Sequence, residues 1–202
     1  MHSGYDDAYP HVRKLQRMLS MKLRLALALF LIVLAAGDLP AQTLFLGLGP
    51  TYAIPQGKFE ETNKGSFGGS LVIGSRKYCQ LWTGLRLNYT EYGRKTDTTL
   101  NYFTEAITLS PEARYFFAQP LDFPLYVHGM LTFSGISGTD SATRTGLGGG
   151  LGLGYLLFYD SNCCNWFLDL YANYHAPNLI LRSDDRPSLS AIVVGMNLNF
   201  GL

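Results

Sequence analysis

Five ionisable residues stand out in the 202-residue chain because each lies in a stretch of alternating apolar and polar residues, always on the polar side: Arg86, Glu112, Arg114, His128 and Asp169. Two cations, two carboxylates and an imidazole brought together have two chemical uses. They neutralise one another as ion pairs that fill an interior, or they form a proton-linked, pairing-gated path. Spacing favours the first. With a turn centred near residue 120, antiparallel pairing sets Glu112 beside His128 and Arg114 beside Tyr126, within a register error of about two residues.

Other groups with the right chemistry lack the right pattern. His175 with Ser183, Asp184 and Asp185 supplies the residue types of a nucleophile, base and orienting carboxylate. No local motif joins them, and serine and aspartate are common turn formers. Cys79, Cys163 and Cys164 are odd in number and have no metal-ligand spacing. Gly57-Lys58 resembles the end of a phosphate loop, but Tyr52 stands where that loop requires glycine. No catalytic, metal or cofactor site is expected.

The elements that must position the charged set are strands. Thr143 to Leu157 has glycine at every second residue from Gly146 to Gly154, with Leu147, Leu151, Leu153 and Tyr155 on the other parity and Gly149 as the one gap. That is a period of two. Glycine is depleted in ordinary strands, so a glycine face marks a place where something bulky approaches the backbone. In a narrow closed barrel, large inward side chains of the far wall would supply that bulk.

The same alternation recurs in Thr43–Ala53, Ser66–Ser75, Cys79–Tyr92, Asn101–Phe116, Pro124–Ser137, Asn165–Tyr174 and Ser188–Leu202. With the glycine segment these make eight candidate strands, most long enough to cross a bilayer when tilted, which takes about 9 to 11 residues. An even count puts both chain termini on one side, taken as the periplasmic one. Connections near 54–65, 93–100, 138–143 and 175–187 then lie outside the cell, and are mostly longer and more polar than those near 76–78, 117–123 and 158–164.

Aromatics on the outward parity fall in two bands. Tyr52, Phe67, Tyr89, Phe103, Phe133 and Tyr174 mark the extracellular ends, and Tyr115, Tyr155, Trp166 and Phe200 the other ends. Two girdles around an aliphatic belt are the pattern of a lipid-embedded wall. A soluble ligand-binding barrel is the fold-level alternative.

Composition agrees without deciding. Hydrophobic content is 47%, ordinary for a globular domain, while Gly 22, Tyr 13 and Phe 12 lean toward barrel walls and girdles. A net charge of +1 is no nucleic-acid footprint. Met21-Lys22-Leu23-Arg24, the apolar run Leu25–Ala36 and the segment ending at Ala41 read as a cleavable signal peptide. The run is too short for a spanning helix, which needs roughly 20 residues. Residues 1–20 read as an upstream extension from a mis-assigned start, 21–41 as the signal peptide and 42–202 as the barrel domain. Residues 1–41 hold five of the 16 basic and three of the 15 acidic residues, leaving 11 and 12, a net charge of −1.

L-G-L-G-P-T-Y-A-I-P (Leu46 to Pro55), P-E-A-R-Y-F-F (Pro111 to Phe117), G-L-G-L-G-Y in the glycine segment and the ending V-G-M-N-L-N-F-G-L resemble the small eight-stranded outer-membrane β-barrel proteins. The likeness is to the OmpA/OmpX type and the related outer-membrane β-barrel domain of Bacteroidota-like bacteria, over nearly all of residues 42–202. It implies an all-β, eight-stranded antiparallel transmembrane barrel in the bacterial outer membrane. The implied partners are outer-membrane lipids, lipopolysaccharide and the assembly machinery that reads the last strand, where Phe200 stands two short of Leu202. The expected role is non-enzymatic: surface interaction, adhesion or envelope support through extracellular loops whose ligand the sequence does not name, over a lumen plugged by polar side chains. A narrow channel or small-ligand carrier is the first alternative. A lipid A-modifying enzyme using His175 is the second.

Overall fold

The computed structural model describes residues 44–76, 80–93, 95, 104–120, 122–138, 141–157, 166–181 and 189–202. In chain order these form β1 (Leu44–Pro55), a five-residue helix α1 (Lys58–Thr62), β2 (Ser66–Ser75), β3 (Leu81–Tyr92), β4 (Thr104–Phe116), β5 (Leu125–Gly138), β6 (Ser141–Leu157), β7 (Trp166–Leu181) and β8 (Ala191–Gly201). Each strand pairs antiparallel with the next and β8 pairs with β1, closing the sheet into a barrel. Closure leaves the strands no unpaired sheet edge along the wall, the condition for a sheet to survive in lipid.

Alternation decides which side chains face in. In β1, Phe45, Thr51 and Ala53 are buried, while Leu48 and Ile54 are exposed. In β8, Val193, Asn197 and Asn199 are buried against exposed Ile192, Val194, Met196, Leu198 and Phe200. This inverts a soluble core: the exterior is apolar and the interior carries the charges. Phe67, Tyr89, Phe133 and Tyr174 are exposed toward the end away from Leu44 and Leu202, and Tyr115, Tyr155, Trp166 and Phe200 toward the end that holds them. Tyr52 packs beside Phe67, ring centres 4.9 Å apart. Phe103, the signal peptide, the three cysteines and Ser183, Asp184 and Asp185 lie outside the described residues.

Two prolines interrupt the ladders where their missing N–H would be needed. The β1–β8 register passes from Leu48↔Leu198 to Thr51↔Gly195 across Pro50, and the β4–β5 register from Leu109↔Phe133 to Glu112↔Met130 across Pro111.

The β4–β5 partners are displaced by two residues, inside the register error expected, with Arg114↔His128 and Phe116↔Tyr126 in register. Three expectations are corrected. β7 does not end at Tyr174: it continues to Leu181 through a bulge in which Gly149↔Ala176 gives way to Leu147↔Leu181. β5 and β6 likewise run further toward each other, to Gly138 and from Ser141, than a 138–143 connection allowed. Finally, the bulk over the glycine face comes from the adjacent strand rather than the far wall. A Cβ at Gly154 would fall on the Tyr126 ring and one at Gly152 on the His128 imidazole, and these are the directly paired residues of β5. An inward side chain of that size leans sideways across its neighbour, and only glycine leaves it the space.

Candidate functional site: a layered lumen

The lumen is layered. At the end that holds Leu44 and Leu202, inward residues of seven strands, Phe45, Val72, Trp82, Phe116, Tyr126, Leu156 and Phe167, form an apolar floor. Phe45 meets Phe167 at 5.4 Å, Trp82 meets Phe116 at 4.8 Å and Phe116 meets Tyr126 at 5.1 Å between ring centres, in the tilted and edge-on arrangements aromatics prefer.

Above the floor lies the ionic layer, and it unites the charged residues singled out from the sequence. Glu112 is its hub. Its carboxylate accepts from Arg86 Nε at 2.8 Å and from Arg114 Nη2 at 2.7 Å and Nε at 2.9 Å. Arg114 Nη1 also donates to Asp169 Oδ2 at 2.9 Å, and the Tyr126 hydroxyl donates to Asp169 Oδ1 at 2.6 Å. Arg86 stacks over the Tyr171 ring, 4.2 Å from its centre. His128 Nδ1 stands 3.8 Å from Glu112 Oε2, a flank of the cluster and not a hydrogen-bonded member. All of these groups are buried. Two guanidinium and two carboxylate charges cancel, which is what a low-dielectric interior demands of ions it cannot hydrate.

Next comes a hydroxyl and amide layer. Ser110 and Thr132 share a hydrogen bond of 3.0 Å, and Thr132 meets His175 Nε2 at 3.0 Å. Tyr171 donates to Ser70 Oγ at 3.2 Å, and Ser70 donates on to Asn197. His175 therefore lies inside the barrel on β7 and not in an exterior loop. A histidine in that place cannot reach a lipid outside the wall, so the lipid-modifying alternative loses the base on which it rested. Among the described residues no three side chains of metal-binding type converge.

A lid closes the far end. Phe59 of α1 turns inward and is buried against Tyr92, ring centres 4.9 Å apart, among Ala53, Ala106, Ala191 and Val193. Backbone straps hold this connection down: Gln56 N donates to Ser190 O at 2.8 Å, Lys64 N to Gly93 O at 2.7 Å and Lys95 N to Thr62 O at 2.9 Å.

The sequence reading missed the floor and the lid, but it set Tyr126 beside Arg114, and the guanidinium lies 5.4 Å from that ring's centre. For the floor a signal existed: Phe45, Trp82, Phe116, Tyr126 and Phe167 all have inward parity at the same strand ends. For the lid there was none, because a single phenylalanine in the polar run Gly57–Asn63 carries no period.

No protein-family model and no curated protein matches the chain. Solved structures do. Neisserial surface protein A is similar over 79% of this chain and 97% of its own, at 14% identity and a TM-score of 0.53. The outer membrane protein OprG from Pseudomonas aeruginosa is similar over 79% and 97%, at 9% identity and a TM-score of 0.50. The attachment invasion locus protein Ail of Yersinia pestis is similar over 79% and 99%, at 12% identity and a TM-score of 0.49. The fold is that of an eight-stranded outer-membrane barrel. At these identities the likeness speaks for architecture alone. The apolar exterior and its two aromatic bands are what a membrane-embedded barrel needs, and with such a wall around it the ionic layer of the barrel is an internal strut.

Proposed function

We propose that this outer-membrane barrel is a non-conducting, non-enzymatic surface protein that acts through what it displays outside its lumen. The observation that supports this reading is the packing of side chains into the lumen in three successive layers: the aromatic floor, the Arg86–Glu112–Arg114–Asp169 cluster and the Phe59 cluster. Eight strands leave an interior just wide enough for side chains, and here side chains take it up. With the interior occupied, the faces left for function are the lipid-facing wall and the connections at the lid end, which would face the cell exterior. Adhesion, another surface interaction or support of the envelope is the role, with outer-membrane lipids and lipopolysaccharide against the wall and the assembly machinery reading β8 during insertion. Kinship with the Bacteroidota-type domain is proposed on the sequence motifs quoted above.

Planar bilayers containing the purified barrel test the reading. The expected result is no stepwise conductance. Reproducible ohmic steps from a heat-modifiable, correctly folded sample would make the narrow-channel alternative lead. Surface display is tested separately, by replacing residues 96–103 or 182–188 with glycine and serine. Loss of cell attachment from barrels that still insert supports the role, and unchanged attachment in both replacements opposes it.

A further inference from the structure

Between the ionic layer and the lid lies a cavity with room for about one water molecule. Asn88, Thr90, Tyr92, Thr108, Tyr171, Asn173 and His175 are among its walls. Asn173 is 5% exposed, and its Oδ1 has no hydrogen-bond partner among the described residues. Asn88 Oδ1 is in the same condition. A buried polar atom left unpaired is destabilising, so a native interior with two of them on the walls of one small space supplies them with a ligand.

The unmatched atoms define that ligand. Both are amide oxygens that accept. Ammonium could donate to them but would add a positive charge next to the Arg86 guanidinium, which stacks over the cavity residue Tyr171. Water both donates and accepts, is neutral and has the right size. We propose that this cavity is a lidded internal water site, with Asn173 and Asn88 as its acceptors, exchanging with the cell exterior only when α1 lifts Phe59 away. The lid half of the proposal rests on the sealed-lumen reading. The water site does not.

The test has two arms. In a crystal structure of the refolded full-length barrel that resolves ordered waters, one water is expected within hydrogen-bond reach of Asn173 Oδ1 and a second cavity atom. A dry cavity, a bound ammonium ion revealed by its displacement in ammonium-free buffer, or an Asn173 amide paired directly to protein overturns the site. For the lid, Thr108→Cys places a thiol on the cavity wall, and its labelling by a small reagent added outside intact cells is timed. Phe59→Ala is expected to speed labelling by at least about tenfold, the signature of a local opening made easier. Equal rates in both backgrounds overturn the lid, whatever the crystal shows. Conductance of the unsubstituted barrel reads the sealed-lumen premise independently: a conducting barrel removes the lid and leaves the water site standing.

Discussion

Tyr126 of β5 lies across Gly154 of β6: the two are directly paired in the ladder, and the phenol ring occupies the space a Cβ at position 154 would need. From there the hydroxyl reaches Asp169 on β7, one strand further on. A glycine in the wall thus lets a floor residue brace the ionic layer. The arrangement repeats at Gly195, where a Cβ would meet the Tyr171 ring of the paired strand.

Gly154→Val overpacks this joint. It is expected to destabilise the barrel by about 1–3 kcal/mol. In a Tyr126→Ala background, where the ring is gone, the same change is expected to cost far less. Urea unfolding of the four proteins of this cycle from lipid vesicles reads the coupling; additive effects would mean that the ring and the glycine do not share the space.

Removing Glu112 leaves Arg86 and Arg114 facing each other with one carboxylate between two charges. Asp169→Ala deprives only Arg114 and Tyr126. Both substitutions break buried pairs, so each is expected to cost about 3–5 kcal/mol, with Glu112→Ala at the upper end and Asp169→Ala at the lower. The unfolding midpoints of the two variants, measured side by side, settle the order.

Leu151 points outward midway along β6 between Leu147 and Tyr155, and Ile54 points outward on β1 beyond Tyr52. Arginine at the bilayer midplane costs about 2–4 kcal/mol and near the interface about 0–1. Leu151→Arg is therefore expected to impair insertion into vesicles, and Ile54→Arg to insert nearly as the unsubstituted protein does. The reverse order would move the membrane away from the band that the two girdles define.

Expression of the unsubstituted protein and of His175→Ala is expected to give the same lipid A mass spectrum. His175 is buried on the inner face and bonded to Thr132, out of reach of lipid. A lipid A species that appears with the unsubstituted barrel and vanishes with His175→Ala would restore the enzymatic reading.

The wall was legible in the sequence because strand periodicity is local. A period of two in Leu44–Ala53 or Trp166–Tyr174 needs no knowledge of any other segment, and it sorts Leu48 from Phe45 and Trp166 from Phe167 correctly. Four of the five expected members of the ionic layer followed as well, since inward parity in a barrel this narrow leaves Arg86, Glu112, Arg114 and Asp169 nowhere else to meet, while His128 stands at its flank. What parity cannot supply is height and lean. The β4–β5 partners are displaced by two residues relative to a turn centred at residue 120, and such a slip keeps every side chain on its own face and so leaves no trace in the pattern. His175 went from an exterior loop to the lumen because the β7 bulge that carries the strand to Leu181 is fixed by contacts with β6 and β5, such as Ser134 Oγ donating to Pro177 O. Phe59 became a lid for the same kind of reason: its burial depends on Tyr92, Ala106, Ala191 and Val193, residues far away in the chain. Alternation along one strand determined which residues face inward; only closure of all eight decided which of them touch.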